Sequence, residues 1–267
     1  MNPQVQELLD ADQLDEAILA MNGEVRSHPT DIDRRAHLAE LLCVSGNLDR
    51  ADLLLDAISD LDPGAGVGVS LFRQLVRAEQ ARQRFHAQGS PPAFLTTPDS
   101  ISEMEMRAAV LLRAGDAAGA AALIEQRDAA RSPVAGIADG APFDDFRDLD
   151  DLSAGHLEIL TSTGKYYWVS VSSVISIEFR APERRRDLIW RRAHLSVADG
   201  PDGEVYMPCI YEAADSTAAQ RLGHVTEFAG EGAPVQALGL RSFLVGEDCK
   251  SVLEVNKISF TAHAASA

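Results

Sequence analysis

The sequence predicts a multi-domain α and β chain. An N-terminal α-α superhelix of stacked helical hairpins is followed by a mostly antiparallel β region, folded as a small barrel or sandwich. Three observations predict this. Apolar residues recur at spacings of three and four through positions 1–130, as in amphipathic helices. That pattern repeats at a fixed offset, the one that carries Leu14 onto Leu48, which signals hairpins stacked side by side. After Phe143 the periodicity falls to two, in short runs rich in β-branched and aromatic residues. Helices first and strands later argue for two domains rather than an α/β weave. The expected limits are a helical repeat domain over 1–131, a linker over 132–142, a β-rich domain over 143–262 and a flexible tail over 263–267.

Leu14, Ala17, Ile18, Met21 and Val25 form one stripe, and Leu48, Ala51, Leu54, Leu55, Ile58 and Leu61 form its copy. Leu14 aligns with Leu48, Ala17 with Ala51, and Pro29 with Pro63, all at the same separation. The pattern resembles tetratricopeptide repeats, with the small residue of the helix crossing at Ala17 and Ala51 and the closing proline at Pro29 and Pro63. Leu38, Ala39 and Leu42 belong to the first helix of the second hairpin. A looser third copy surrounds Gly115, close to two periods beyond Gly46. Asp15 and Asp49 stand in first turns, where carboxylates suit the helix dipole. Val69, Phe72, Leu75, Val76 and Phe85 predict another helix. PGAGVGVS (63–70) lacks the Lys-Ser/Thr of a phosphate loop and follows no strand, so it reads as a flexible turn. AQGSPPAFLTTPDS (87–100) is expected to be a loop, and SPVAGIADGAPF (132–143) carries the linker.

Beyond the linker, HLEILT, KYYWVSV, VISIEF, LIWRRAHLSV, GEVYMPCIY, HVTEF, VQALGLRSFLV and SVLEVNKISF read as about eight strands. The two Asp-Gly pairs in DGPDG (199–203) mark a hairpin, and Ser162–Lys165 marks another.

Composition narrows the function. The 267 residues carry 24 Lys+Arg against 41 Asp+Glu, a formal charge of −17, which disfavours nucleic acid and anionic membranes as partners. No apolar run approaches the ~20 residues of a membrane helix. Cys43, Cys209 and Cys249 are far apart and odd in number, which fits a reducing compartment, and the acidic N-terminal segment has no signal-peptide pattern, so a cytoplasmic protein is expected. No GxSxG occurs, His156 and Glu158 lack a third ligand and read as exposed strand residues, and neither catalysis nor a metal nor a cofactor is expected.

Two charge clusters stand out. FDDFRDLDDL (143–152) gathers five aspartates, including Asp148, Asp150 and Asp151, without the alternation of a calcium loop. Its Phe143, Phe146, Leu149 and Leu152 recur every third residue, a helical spacing. Arg180, Arg184, Arg185, Arg186, Arg191 and Arg192 surround Trp190. Pairing between the two clusters and docking of a protein partner are both open readings.

The same segments carry a family resemblance. The D-x-D-D-L block at 148–152, G-K-Y-Y-W at 164–168 and W-R-R-A at 190–193 occur in order, and residues 143–260 closely resemble the ImpE/TagJ family, accessory proteins of bacterial type VI secretion systems. The resemblance implies a non-catalytic adaptor. Its implied partners are an N-terminal helix of the small, TssB-type contractile-sheath subunit and a ClpV-type unfoldase, with no nucleic acid or membrane. Asp148, Asp150, Asp151, Tyr166, Tyr167, Trp168, Trp190, Arg191 and Arg192 are the candidate partner-binding or domain-interface residues. A helical-repeat scaffold or chaperone of another cytoplasmic pathway is the alternative.

Overall fold

A computed structural model describes residues 2–230 and 234–261, and the expected tail over 263–267 lies outside them. Helices α1 (Pro3–Asp10), α2 (Leu14–Ser27), α3 (Ile32–Val44), α4 (Leu48–Leu61) and α5 (Gly66–Gln88) follow one another. After strand β1 (Ala93–Phe94) come α6 (Ser100–Arg113) and α7 (Ala117–Ala130). The pairs α1–α2, α3–α4 and α6–α7 are hairpins whose turns are the same. Asp12, Gly46 and Gly115 each sit at positive φ (59°, 79° and 81°). The following N–H bonds back to Leu8, Leu42 or Leu111 at 2.8–2.9 Å, closing the helix in a Schellman turn. Asp12 adopts at a steric cost what glycine adopts freely. Side chains of Asp31, Asp99 and Asp116 accept backbone N–H groups and cap α3, α6 and α7.

The PGAGVGVS segment is not a flexible turn. Pro63–Ala65 form one 3-10 turn and α5 begins at Gly66, because the apolar stripe from Val69 to Phe85 propagates a helix back through the glycines. The 87–100 loop is likewise not all loop, since β1 pairs in parallel with a strand of the sheet, Ala93 opposite Tyr167.

The β region contains β2 (Gly136–Ala138), β3 (Ala141–Phe143), β4 (Phe146–Asp148), β5 (His156–Leu160), β6 (Tyr166–Ser170), β7 (Val174–Phe179), β8 (Trp190–Val197) and β9 (Asp202–Pro208). A short helix α8 (Ala218–Leu222) precedes β10 (Thr226–Ala229), β11 (Gln236–Gly239), β12 (Ser242–Val245), β13 (Asp248–Ser251) and β14 (Lys257–Phe260). Nine strands form one sheet in the order β1-β6-β5-β9-β8-β7-β14-β2-β3, antiparallel except at β1. Strands β13-β12-β4 form a second sheet and β10-β11 a third. Among the described residues no closed barrel forms; the arrangement is sandwich-like, with Phe146, Phe243 and Val245 of the small sheet packed on Leu157, Ile177, Leu195 and Ile258 of the large one.

Two expectations change here. The segment 132–142 is built into the sheet rather than left as a linker: β2 pairs with β14 and with β3, so its backbone groups are used in ladders. The 143–152 segment is not helical: Phe143 ends β3, Phe146–Asp148 form β4, and 149–152 are bends and turns. Phe143 and Phe146 point inward from two separate strands, each against Phe260.

The large sheet is covered on both faces. Alternation along each strand sends Leu157, Ile159, Tyr167, Val169, Ala193 and Met207 toward the small sheet. Leu160, Tyr166, Trp168, Trp190 and Tyr206 go the other way and share one core with Phe72, Leu75 and Phe85 of α5 and with α2–α4. Ala51 is fully buried where the helices cross. Replacing it with Trp forces strain of at least the ~1–3 kcal/mol usual for overpacking; denaturant unfolding should show that loss, and an unchanged midpoint would contradict the crossing.

Candidate functional site

Helix α5 presents Phe72, Leu75, Val76, Glu79, Arg82, Phe85 and His86 to the sheet, so two charged residues continue an apolar stripe. Strand β5 is buried along its whole length and presents His156 and Glu158 to that helix. Where they meet, Glu158 lies between two guanidiniums. Arg82 Nε donates to its Oε1 at 3.0 Å, and Arg241, between β11 and β12, donates to its Oε2. Tyr166 donates its hydroxyl to the same carboxylate, and His86 Nε2 lies 3.2 Å away. Arg82 also holds Glu79 at 2.8 Å, and Arg241 holds Asp148 at 2.5 Å. The centre of this cluster is closed to water: Arg82 is 2% exposed, Arg241 1%, Glu158 2% and Asp148 0%.

Burial alone would raise the pKa of Glu158, but Arg82 and Arg241 on either side overcome it and hold the carboxyl well below its usual range. At the edge of the cluster the balance reverses. Burial, with the charge of Asp148 added, pushes Asp150 up to about 7. Burial does the same to Glu212, also to about 7, against the pull of Arg82.

A second buried group lies beside the first. Glu105 of α6 takes Arg127 Nη1 of α7 at 2.6 Å, the Gly155 N–H at 2.7 Å and His156 Nδ1 at 2.6 Å. The His156 ring stacks on Trp168 with centroids 3.5 Å apart. Between the two groups opens a cleft of about 480 Å³, lined in part by Phe85, Asp150, His156, Trp168, Glu212 and Arg241.

The nine candidate residues separate. Asp148, Tyr166, Trp168 and Trp190 gather at the helix–sheet junction. Asp148 accepts from Tyr211 Oη at 2.6 Å, Trp168 Nε1 donates to Tyr166 Oη at 2.5 Å, and Trp190 Nε1 donates to Glu79 at 2.9 Å. Asp150 accepts the N–H groups of Leu152 and Ala237, and Asp151 that of Val235. Tyr167 is half-buried on the opposite face. Arg191 is buried away from the junction, bonded to the carbonyls of Arg180, Val252 and Val255 and lying over Phe179. Arg192 is exposed, 3.7 Å from Glu204. The aspartates find Arg131, Arg147 and Arg241 rather than the arginines of 180–192.

Sequence reasoning missed the hub. His156 and Glu158 are buried, not exposed, because helices cover the face that alternation assigns to polar residues. The signal was in α5, where Glu79 and Arg82 fall in register with Phe72, Leu75, Val76 and Phe85. Among the described residues no group of His, Cys, Asp and Glu is arranged to hold a metal ion.

Removing one member should be costly. Arg241→Met leaves Asp148 and Glu158 buried without their partner and is expected to lose about 3–5 kcal/mol. Arg192→Met, on the surface, is expected to lose less than ~1 kcal/mol. Equal losses in denaturant titrations would contradict the cluster's role. Glu212 gives a pH effect of opposite sign to a paired acid: with its folded pKa raised from 4.5 to about 7, the native state binds more protons and loses stability as pH rises through that window. Glu212→Gln should flatten that slope between pH 4.5 and 7, and an unchanged slope would remove the assignment.

The ImpE protein family matches residues 140–259. The type VI secretion system accessory component TagJ of Pseudomonas aeruginosa is 31% identical over 259 residues, covering 96% of this chain and 90% of that protein. The crystal structure of a Vibrio parahaemolyticus protein superposes with a TM-score of 0.91 at 28% identity, over 99% of this chain and 100% of that one. Helical hairpins, two-faced sheet and sequence agree along almost the full length, and the chain belongs to the ImpE/TagJ family of type VI secretion accessory proteins.

Proposed function

We propose that this protein is a non-catalytic, cytoplasmic adaptor of type VI secretion that holds an N-terminal helix of the small, TssB-type sheath subunit. The observation that carries the reading is a groove of about 630 Å³ beside the first two hairpins, walled by α2 and α3 on one side and by Arg184 and Arg185 on the other. Glu24, Asp31, Asp33 and Glu40 line it together with His37, buried Met21 and Arg34, which pairs with Glu24 and Asp31. Met21 is the apolar residue of this lining, so a helix laid in the groove would be held chiefly by its polar and charged face. Four acids against three arginines leave the lining slightly acidic, which suits basic residues on such a helix, and positions 1–130 carry 21 acids against 11 bases. The strongly charged buried groups are committed to one another, which supports a structural rather than catalytic use for them. No helix among the described residues is long and apolar enough to cross a membrane. A link to a ClpV-type unfoldase is part of the same proposal and rests on family membership alone.

A second surface competes. Leu19 and Leu53, equivalent positions of α2 and α4, are 72% and 71% exposed. A synthetic peptide of the sheath subunit's N-terminal helix is expected to bind the full chain, more slowly at high salt as charges are screened over ~3 Å at 1 M instead of ~10 Å at 0.1 M. Asp33→Lys should weaken binding, and Leu19→Asp with Leu53→Asp should not. The reverse pattern would move the site to the outer face, and no binding would sink the reading.

A further inference from the structure

The cleft between α5, α6 and the 211–214 segment has chemistry that the ion cluster does not consume. Its volume of about 480 Å³ falls within the ~300–1,000 Å³ of ligand pockets. Arg113, Ala214 and Gln236 stand exposed at its mouth, and Arg82, Glu158 and Arg241 are buried in its wall. Both deep guanidiniums are committed, Arg82 to Glu79 and Glu158, and Arg241 to Asp148 and Glu158.

What remains is a set of acceptors. Glu212 reaches Arg82 only at 3.9 Å, and Asp150 is held by the backbone N–H groups of Leu152 and Ala237. His156, 1% exposed, lines the cleft, and its Nε2 has no hydrogen-bond partner among the described residues. Its Nδ1 lies 2.6 Å from Glu105 Oε2, the geometry of an N–H donated to a carboxylate. In the Nδ1–H tautomer the ring keeps an unused lone pair at Nε2. The neighbouring wall is aromatic, with Phe85 and Trp168 at 4.8 Å between centroids, and the Arg113 guanidinium rests 5.5 Å above Phe85.

We infer that this cleft seats an arginine side chain supplied by a protein partner. The occupant must bring positive charge and several N–H donors to two carboxylates and an imidazole nitrogen. A guanidinium offers five donors in a plane and stacks on aromatic faces. Burial holds Asp150 and Glu212 up near 7, and an entering cation would draw both back toward ionisation. That the arginine belongs to a protein rests on the adaptor reading; the guanidinium chemistry does not.

Acetyl-arginine amide, titrated into the full chain, tests the inference. Trp168 stacks on His156, so its indole N–H resonance is expected to move saturably, while that of Trp190, the other tryptophan, stays still. Acetyl-citrulline amide, similar in shape but uncharged, should move neither. Glu212→Gln should weaken the arginine probe about tenfold, the worth of a lost charge-assisted hydrogen bond. Arg113→Ala should strengthen it by removing a like charge from the mouth. Glu204→Gln, at an exposed position of β9, should leave it unchanged. Equal binding of the citrulline probe, weakening by Arg113→Ala, or no shift at all would overturn the inference. If the arginine probe binds and the sheath peptide does not, the adaptor reading falls and the guanidinium site stands; the opposite result removes the site alone.

Discussion

The structure depends on one carboxylate held between two arginines. Glu158 belongs to a central strand, Arg82 to the longest helix and Arg241 to the turn before the small sheet, so a single residue ties three layers together. A charge cannot be left alone in that interior, because an ion stripped of water costs several kcal/mol unless it is paired and hydrogen-bonded. The constraint works in both directions. Glu158 needs both guanidiniums, and each guanidinium needs a further carboxylate, Glu79 or Asp148. Trp190 and Tyr211 then follow as hydrogen-bond partners of those two acids. Replacing the whole cluster with apolar residues could be neutral for stability, but removing one member is not.

This explains why the helical hairpins and the sheet share a core. A sheet exposed on one face would place Tyr166, Trp168, Trp190 and Tyr206 in water. Here α5 covers them, and the same helix supplies Arg82. The groove beside α2 and α3 and the cleft beside α5 and α6 therefore flank the same helix–sheet junction.

Local patterns were legible and long-range pairings were not. The fixed offset between the stripes announced the hairpins, and the shared geometry of Asp12, Gly46 and Gly115 is its physical basis. Alternation announced β5–β9. It also misled: polar residues on alternate positions suggest solvent, yet His156 and Glu158 face buried helices. Their partners Arg82, Glu105 and Arg241 lie 76, 51 and 83 residues away, distances that no local periodicity encodes. Strands β2 and β3 escaped notice because very short strands in a Pro/Gly-rich segment carry too few alternations to read. Arg191 looked like a surface anchor beside Arg192, but successive residues of a strand point to opposite faces, so one is buried and the other is not.

Native-state hydrogen exchange on the wild type and Glu158→Gln tests the central claim most directly, because it reads each element's opening free energy separately. If Glu158 joins helices and sheet into one unit, the amides of α4 and α5 and those of β5, β6 and β8 open together in the wild type, and the substitution lowers the protection of all of them by a similar amount. Loss of protection confined to α5, with the strands exchanging as slowly as before, would contradict it.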